Sequence, residues 1–349
     1  MNLDPVAILT GLLSEYSPST RESGAVDYLV RTLSALGYIA DVDGAGNAVS
    51  SRGDGPNEII LLGHIDTVSG LIAVEREGDA LYGRGSVDAK GSLACFSAAA
   101  AAARILPGWR LTVIGAVGEE GNSPGARFVR DTYPRPAMVI IGEPSGWDHI
   151  TLGYKGSLGL KYQLTQPLAH TAARTTGACE QAVGFWNRLQ AMAAERNAAQ
   201  PKIFDQLTPA LRGMDSSNDG FHENARLVIN LRLPPGVDCE TLAPQLAALA
   251  EPARLEVEDC LPAYRGEKNS PLVRAFLAAI RQKGGQPGFT LKTGTSDMNI
   301  VGPAWGCPVV AYGPGDSNLD HTPREHILVS EYLKGIAVLT RALELAMSA

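Results

Sequence analysis

Apolar positions along the chain follow two repeat lengths. Between Asp4 and Tyr16, the residues Val6, Ile8, Leu9, Leu12 and Leu13 share one helical face. The same spacing recurs at Val26, Leu29, Val30 and Leu33 and then meets Gly37. Both stretches predict amphipathic helices, the second with a glycine stop. Short continuous apolar runs follow: EIILLG at 58–63, LTVIGAV at 111–117 and AMVII at 137–141. Such runs predict strands buried on both faces. The alanine-rich segment 89–106 predicts a helix stopped by Pro107 and Gly108. Strands alternating with helices predict an α/β body with a central, mainly parallel sheet.

The middle of the chain reads differently. Residues 157–164 alternate like a half-buried strand, 176–194 predict a helix, and 224–233 and 254–260 predict strands with a helix at 239–249 between them. This is the pattern of a small α+β domain. A helix at 271–281, a strand at 307–312 and a last helix at 330–347 resume the first pattern. The expected organisation is one discontinuous domain, residues 1–154 and 263–349, with an inserted α+β domain at 155–262.

Composition narrows the class. Of 349 residues, 45% are hydrophobic and 19% charged, enough for two cores. The net charge of −7 argues against a general nucleic-acid binder. No uninterrupted apolar run reaches membrane-spanning length. The five cysteines are odd in number, widely spaced and without a Cys-x-x-Cys pair, which fits a reduced compartment better than a disulfide scaffold. With no signal-like start, a soluble cytoplasmic protein is expected.

Candidate chemistry gathers where the apolar strands end. LLGHIDTV places His64 and Asp66 after one strand, AVGEEG places Glu119 and Glu120 after another, and VIIGEPSG places Glu143 after a third. GRGSVDAKG sets Asp88 before a helix, and GDSNLDHTPREH sets His321 in a late loop. Carboxyl ends of parallel strands form the usual ligand crevice of such folds. Five acids and two histidines gathered there are costly unless a cation neutralises them. Imidazole and carboxylate donors suit zinc-like ions at about 2.0–2.2 Å, and one carboxylate can bridge two ions roughly 3.5–4 Å apart. Asp66 is placed to accept the second ring N–H of His64. Glu119 and Glu120 need not share a task, since one can ligate while the other moves a proton. Each signal alone has a plainer reading: Asp88 as a helix cap, the Glu pair as solvated loop acids, His321 as a surface histidine. No His-Glu-x-x-His or G-x-G-x-x-G motif is present to favour a zincin or a dinucleotide-binding enzyme.

Taken together, H-x-D, the Asp of GRG-x-x-D-x-KG, the EE pair, an acid at a strand end and a late His resemble the co-catalytic zinc deacylase and carboxypeptidase family. That family includes acetylornithine deacetylase and succinyl-diaminopimelate desuccinylase, and the likeness covers nearly the whole chain. It implies a zinc-peptidase-like catalytic domain with an inserted lid and dimerisation domain, acting as a homodimer. It implies two divalent ions per subunit, zinc with cobalt as an alternative. His64, Asp88 and Glu143 would hold one ion, and Asp88, Glu120 and His321 the other. Asp88 is then the bridge, Glu119 the general base and acid, and Asp66 the orienting carboxylate.

The stretches GHIDTVSG, YGRGSVDAKGS, LKTGTSDMN and AYGPGDSNLDHTP look like the branch of this family that serves lysine biosynthesis. Members of that branch release lysine, and in some organisms ornithine, from the small acidic amino-group carrier protein LysW. The resemblance therefore implies a protein-tethered substrate, with neither nucleic acid nor membrane as partner. The alternative is a deacetylase or desuccinylase acting on free acyl amino acids. In the inserted domain, His170 matches a family histidine that steadies the oxyanion, often across a dimer, although the family's Gly-His pair is Ala169-His170 here. Arg232, Asn218, Gly294 and Thr295 match substrate-binding positions, with Lys292 in support. Arg84, Lys90, Lys155 and Arg174 are basic residues available to meet an acidic carrier.

Overall fold

The computed structural model describes residues Asp4–Ser348, so the outermost residues of the expected first domain, 1–3 and 349, lie outside it. The chain forms two compact units. One comprises the chain through Gly153 together with Gly266–Leu291 and the chain from Ser296 onward; the other comprises Tyr154–Arg265 and Lys292–Thr295.

The first unit is built on a mixed sheet. Its strands run in the order Ile39–Val42, Ala48–Arg52, Trp109–Ala116, Asn57–His64, Met138–Gly142, Val309–Ala311 and His149–Tyr154. The four from Trp109–Ala116 to Val309–Ala311 are parallel, and antiparallel strands flank them. The central strands bury nearly every residue, as expected of parallel strands covered on both faces. The alanine-rich helix Lys90–Ala102 is buried over most of its length. It ends four residues earlier than the sequence suggests, with Ala103 extended.

Three glycines let that helix approach the sheet. Gly63 pairs with Gly115 on one side and Gly142 on the other. A Cβ on Gly142 would lie 2.9 Å from the Gly63 Cα and 3.1 Å from the Phe96 ring, and one on Gly115 would lie 3.2 Å from Leu93. The glycine row therefore seats Leu93 and Phe96 of the helix directly beneath the strand ends that carry the candidate ligands.

The second unit is an antiparallel sheet ordered Thr208–Asn218, His222–Leu233, Gly156–Pro167 and Arg254–Leu261. Alternate residues of its two central strands, among them Leu158, Leu160, Leu227 and Ile229, pack with Phe185, Leu189 and Leu246 of helices Ala178–Asn197 and Cys239–Ala250. The other face of the sheet is lined mainly by polar and charged residues, among them Lys161, Gln163, Arg226 and Asn230.

Cys239 and Cys260 form a disulfide with Cα atoms 6.5 Å apart, a single bridge that the sequence reading, which favoured a reduced compartment over a disulfide scaffold, did not anticipate. It ties the start of one helix to the last strand across a sequence separation of 21 residues. Closing such a loop stabilises by about 3 kcal/mol. Cys239→Ser is expected to destabilise this unit by that order, read as a lower melting temperature under non-reducing conditions. Identical melting of the variant and the parent would contradict the cross-link. No helix among the described residues is long and apolar enough to cross a membrane.

Candidate metal centre

Parallel strands deliver their following loops to one edge of the sheet. Here that edge receives His64 as the last residue of its strand, Glu119 and Glu120 three and four residues past theirs, and Glu143 one residue past its own. Asp88 sits two residues before helix Lys90–Ala102, and its peptide bond to Ala89 is cis. His321 follows the short helical turn Ser317–Leu319 in a left-handed conformation, φ 60°.

Asp88 stands between the two histidines. Its Oδ1 is 3.2 Å from His64 Nε2 and its Oδ2 is 3.0 Å from His321 Nε2. The same His321 nitrogen is 3.0 Å from Glu120 Oε1. The ligand atoms of Asp88, Glu120 and His321 all lie within 4.8 Å of one another, a span that one metal ion fits. Among the described residues no second group of three meets that span. His64 and Glu143 adjoin the cluster without completing another.

The charges also call for a cation. Burial pushes the Glu119 carboxyl well above the usual range, and Asp297, Asp88 and Glu120 add to the rise while His64 opposes it. Burial likewise raises Glu143, with Glu119 and Asp88 contributing, and raises Glu120, with Asp88 contributing. Burial pushes up Asp88 as well, but the two histidine hydrogen bonds overcome it and hold Asp88 well below the carboxylate norm. Burial and mutual repulsion thus disfavour the ionised forms of Glu119, Glu120 and Glu143, and divalent ions would relieve that repulsion. The donor set of imidazole and carboxylate fits zinc-like ions.

His321 carries a testable consequence. Its hydrogen bond to Asp88 lifts the imidazole to about 9, against burial and with help from Glu120. A ligating imidazole must be neutral, so protons compete with metal below that value. Apparent metal affinity is expected to rise by at least about tenfold per pH unit from neutrality to about pH 9 and then level off. Chelator-buffered cobalt titrations across that range check this, and a flat profile would contradict it.

Asp66 adjoins the His64 ring and holds a second set of partners. Its main-chain carbonyl, not its carboxylate, lies 3.0 Å from His64 Nδ1, with the carboxylate at 3.5 Å. The carboxylate instead accepts hydrogen bonds from the main-chain N–H groups of Glu119 at 3.0 Å and Glu120 at 3.1 Å, and from Ser19 Oγ at 2.7 Å. Asp66 therefore fixes the backbone of the two glutamates as well as adjoining the histidine.

The remaining candidates lie in the second unit. Arg232 Nη1 donates to Thr295 Oγ1 at 3.3 Å, which joins two of the expected substrate positions. Gly294 has no neighbour where a Cβ would point, so the loop there is open. Asn218 ends its strand opposite Glu223. His170 is exposed nearby, in a loop tied to the Asn218–His222 turn through Leu168 N–H and Phe221 O at 2.8 Å. Glu223 and Arg232 are nine residues apart on one strand, which is about 30 Å at 3.4 Å per residue. His170 and Asn218 are thus separated from Arg232 and Thr295 by most of the sheet's length.

Three of the four basic residues read as carrier-facing are structural. Arg84 pairs with Glu325, Lys90 donates to the Leu12 and Glu15 carbonyls, and Lys155 donates to the Ile203 and Gln206 carbonyls and to Thr208. All three are buried, whereas Arg174 is exposed. Sequence reasoning also passed over Asp297. Its carboxyl is pushed up to about 6 by burial, with His64 opposing and Asp66 adding, and its Oδ1 has no partner. The only sequence signal was an acid set among the apolar residues of SDMNIVG.

Comparison with known proteins places the chain. The sequence model of peptidase family M20/M25/M40 matches residues 60–345. A protein of Deinococcus radiodurans described as a LysW-lysine hydrolase is 44% identical over 338 residues, 94% of this chain and 92% of the relative. A protein of Thermococcus kodakarensis, provisionally described as a LysW-lysine/LysW-ornithine hydrolase, is 42% identical over 98% of this chain and 92% of its own length. The M20 family metallo-carboxypeptidase Sso-CP2 of Sulfolobus solfataricus shares the fold, with a TM-score of 0.79 at 18% identity over 99% of this chain and 100% of that one. The chain therefore belongs to peptidase family M20/M25/M40, and metal-dependent hydrolysis of amide bonds is the chemistry its carboxylate and imidazole cluster supports.

Proposed function

We propose that this enzyme releases lysine, and ornithine, from the amino-group carrier protein LysW in lysine and arginine biosynthesis. The bond cut is the amide between the α-amino group of the amino acid and the side-chain carboxyl of the carrier's C-terminal glutamate. The observation that carries this reading is the 44% identity, over 94% of the chain, to a protein described as a LysW-lysine hydrolase. We assign the enzyme to the cytoplasm on the same reading.

The reading uses two divalent ions, zinc or cobalt, held by His64, Asp88 and Glu143 and by Asp88, Glu120 and His321. When bound, they supply a water of lowered pKa and polarise the scissile carbonyl. Glu119 takes the proton of the attacking water and returns it to the leaving α-amine. Asp66 holds the Glu119 and Glu120 backbone while this happens. The Arg232 guanidinium, with Thr295 and the open Gly294 loop, receives the α-carboxylate of the released amino acid, and Asn218 adds a polar contact. His170 donates to the oxyanion.

His170 and Asn218 stand about 30 Å along a strand from Arg232. Both ends of one sheet therefore serve one substrate only if two copies cooperate. We assign the inserted domain the roles of lid and dimer contact in a homodimer. Co-expression of His170→Ala with Glu119→Gln is then expected to restore about a quarter of wild-type activity, from the one intact site of each mixed dimer. No recovery above the separate variants would place His170 outside the partner's site.

Substrate class is tested by amino-acid release from a panel. LysW-lysine and LysW-ornithine are compared with free acetyl-lysine, acetylornithine and succinyl-diaminopimelate. The proposal expects kcat/KM on the carrier-linked substrates to exceed that on every free substrate. Preference for a free acyl amino acid would move the enzyme to the deacetylase branch.

A further inference from the structure

Glu325 lies four residues beyond His321, and its side chain is wholly buried. Its Oε1 accepts from the main-chain N–H of Val87 at 2.9 Å and of Asp88 at 3.0 Å. Its other oxygen, Oε2, accepts from Arg84 Nη1 at 2.8 Å. Arg84 is itself anchored, with Nη1 3.3 Å from the Thr322 carbonyl and Nε 2.9 Å from the Gly70 carbonyl. The strand that follows Glu325, His326–Leu328, pairs with Ala80–Tyr82, just before Arg84. One buried carboxylate thus joins the loop that carries Asp88 to the loop that carries His321, and one buried guanidinium holds that carboxylate.

A buried ion pair is poor evidence for stability, because desolvation offsets most of the attraction. Its geometry here serves another purpose. Two adjacent N–H groups, one of them on Asp88 itself, need an acceptor, and a carboxylate can accept on both of its edges. Groups that hold metal ligands in place typically change affinity by about 10–100-fold when removed.

We propose that Glu325, braced by Arg84, is a positioning residue that sets the Asp88 carboxylate between His64 and His321. This rests on the reading of Asp88 and His321 as metal ligands. Glu325 needs no contact with metal or substrate to act in this way.

The test uses the full chain stripped of metal and titrated with Co2+. It reads the dissociation constant, the visible absorption band at saturating Co2+ and the melting of the metal-free protein. Glu325→Gln can accept on one edge only, so it must give up either Arg84 or the two N–H groups. At a temperature where the variant is folded, it is expected to bind Co2+ about 10–100-fold more weakly with a shifted band. Arg84→Lys leaves Oε1 on the N–H groups and is expected to lose less. A merely structural role would lower the melting temperature and leave the band of the folded protein unchanged. Wild-type affinity and band in Glu325→Gln, beside a large loss in Asp88→Asn, overturn the positioning role while the ligand reading stands. Wild-type binding by Asp88→Asn as well overturns the ligand reading and this inference with it. If Glu325→Gln does not fold, Arg84→Lys decides: weaker Co2+ binding supports the role, and unchanged affinity and band overturn it.

Discussion

Glu119→Gln is expected to lower kcat by about 10²–10⁴-fold, the range for loss of a general acid–base group, with metal content and KM close to those of the parent. The side chain is positioned through its own main chain, since Asp66 accepts from both Glu119 N–H and Glu120 N–H. Glutamine preserves that backbone and the side-chain volume but cannot take a proton. Burial raises the Glu119 carboxyl, and Asp297, Asp88 and Glu120 raise it further against His64. Those neighbours make it a stronger base than an exposed glutamate, which suits a group that must gain a proton and return it. A variant with much lower metal content would instead make Glu119 a ligand. One with unchanged kcat would remove it from the chemistry.

Asp88→Ala is expected to cost more, because it removes metal and turnover together. Asp88 adjoins both histidines, at 3.2 Å and 3.0 Å, and belongs to the carboxylate–imidazole group that one ion fits. Metal ions supply several kcal/mol of charge stabilisation in such hydrolyses, so their loss is expected to lower kcat/KM by about 10³-fold or more. Elemental analysis of the purified variant and its turnover check this jointly. Full metal occupancy with normal turnover would contradict the central place given to Asp88.

The buried parallel strands were readable because burial on both faces leaves a continuous apolar run. EIILLG and AMVII mark Asn57–His64 and Met138–Gly142 within two residues at each end. The loops that carry the candidate ligands were readable for the same reason, since polar residues directly after such runs have one edge of the sheet to go to. The edge strand Thr208–Asn218 left no trace, because few of its residues are covered and its side chains need not alternate. Charged residues in the interior were the hardest to place. Arg84, Lys90 and Lys155 look like surface cations in sequence, yet each finds oxygen partners that only the folded chain brings together. Glu325 and Asp297 were invisible on the same grounds. The role of Asp66 was half legible: its nearness to His64 follows from a spacing of two residues, while its grip on the glutamate backbone depends on a neighbouring strand.

The most direct measurement is the intact mass of LysW bearing C-terminally linked lysine, followed over time with metal-loaded enzyme, metal-stripped enzyme and Glu119→Gln. The account predicts that only the metal-loaded parent removes the mass of one lysine residue and leaves the carrier otherwise whole. A carrier mass that stays constant with the metal-loaded parent, or falls equally with Glu119→Gln, would contradict it.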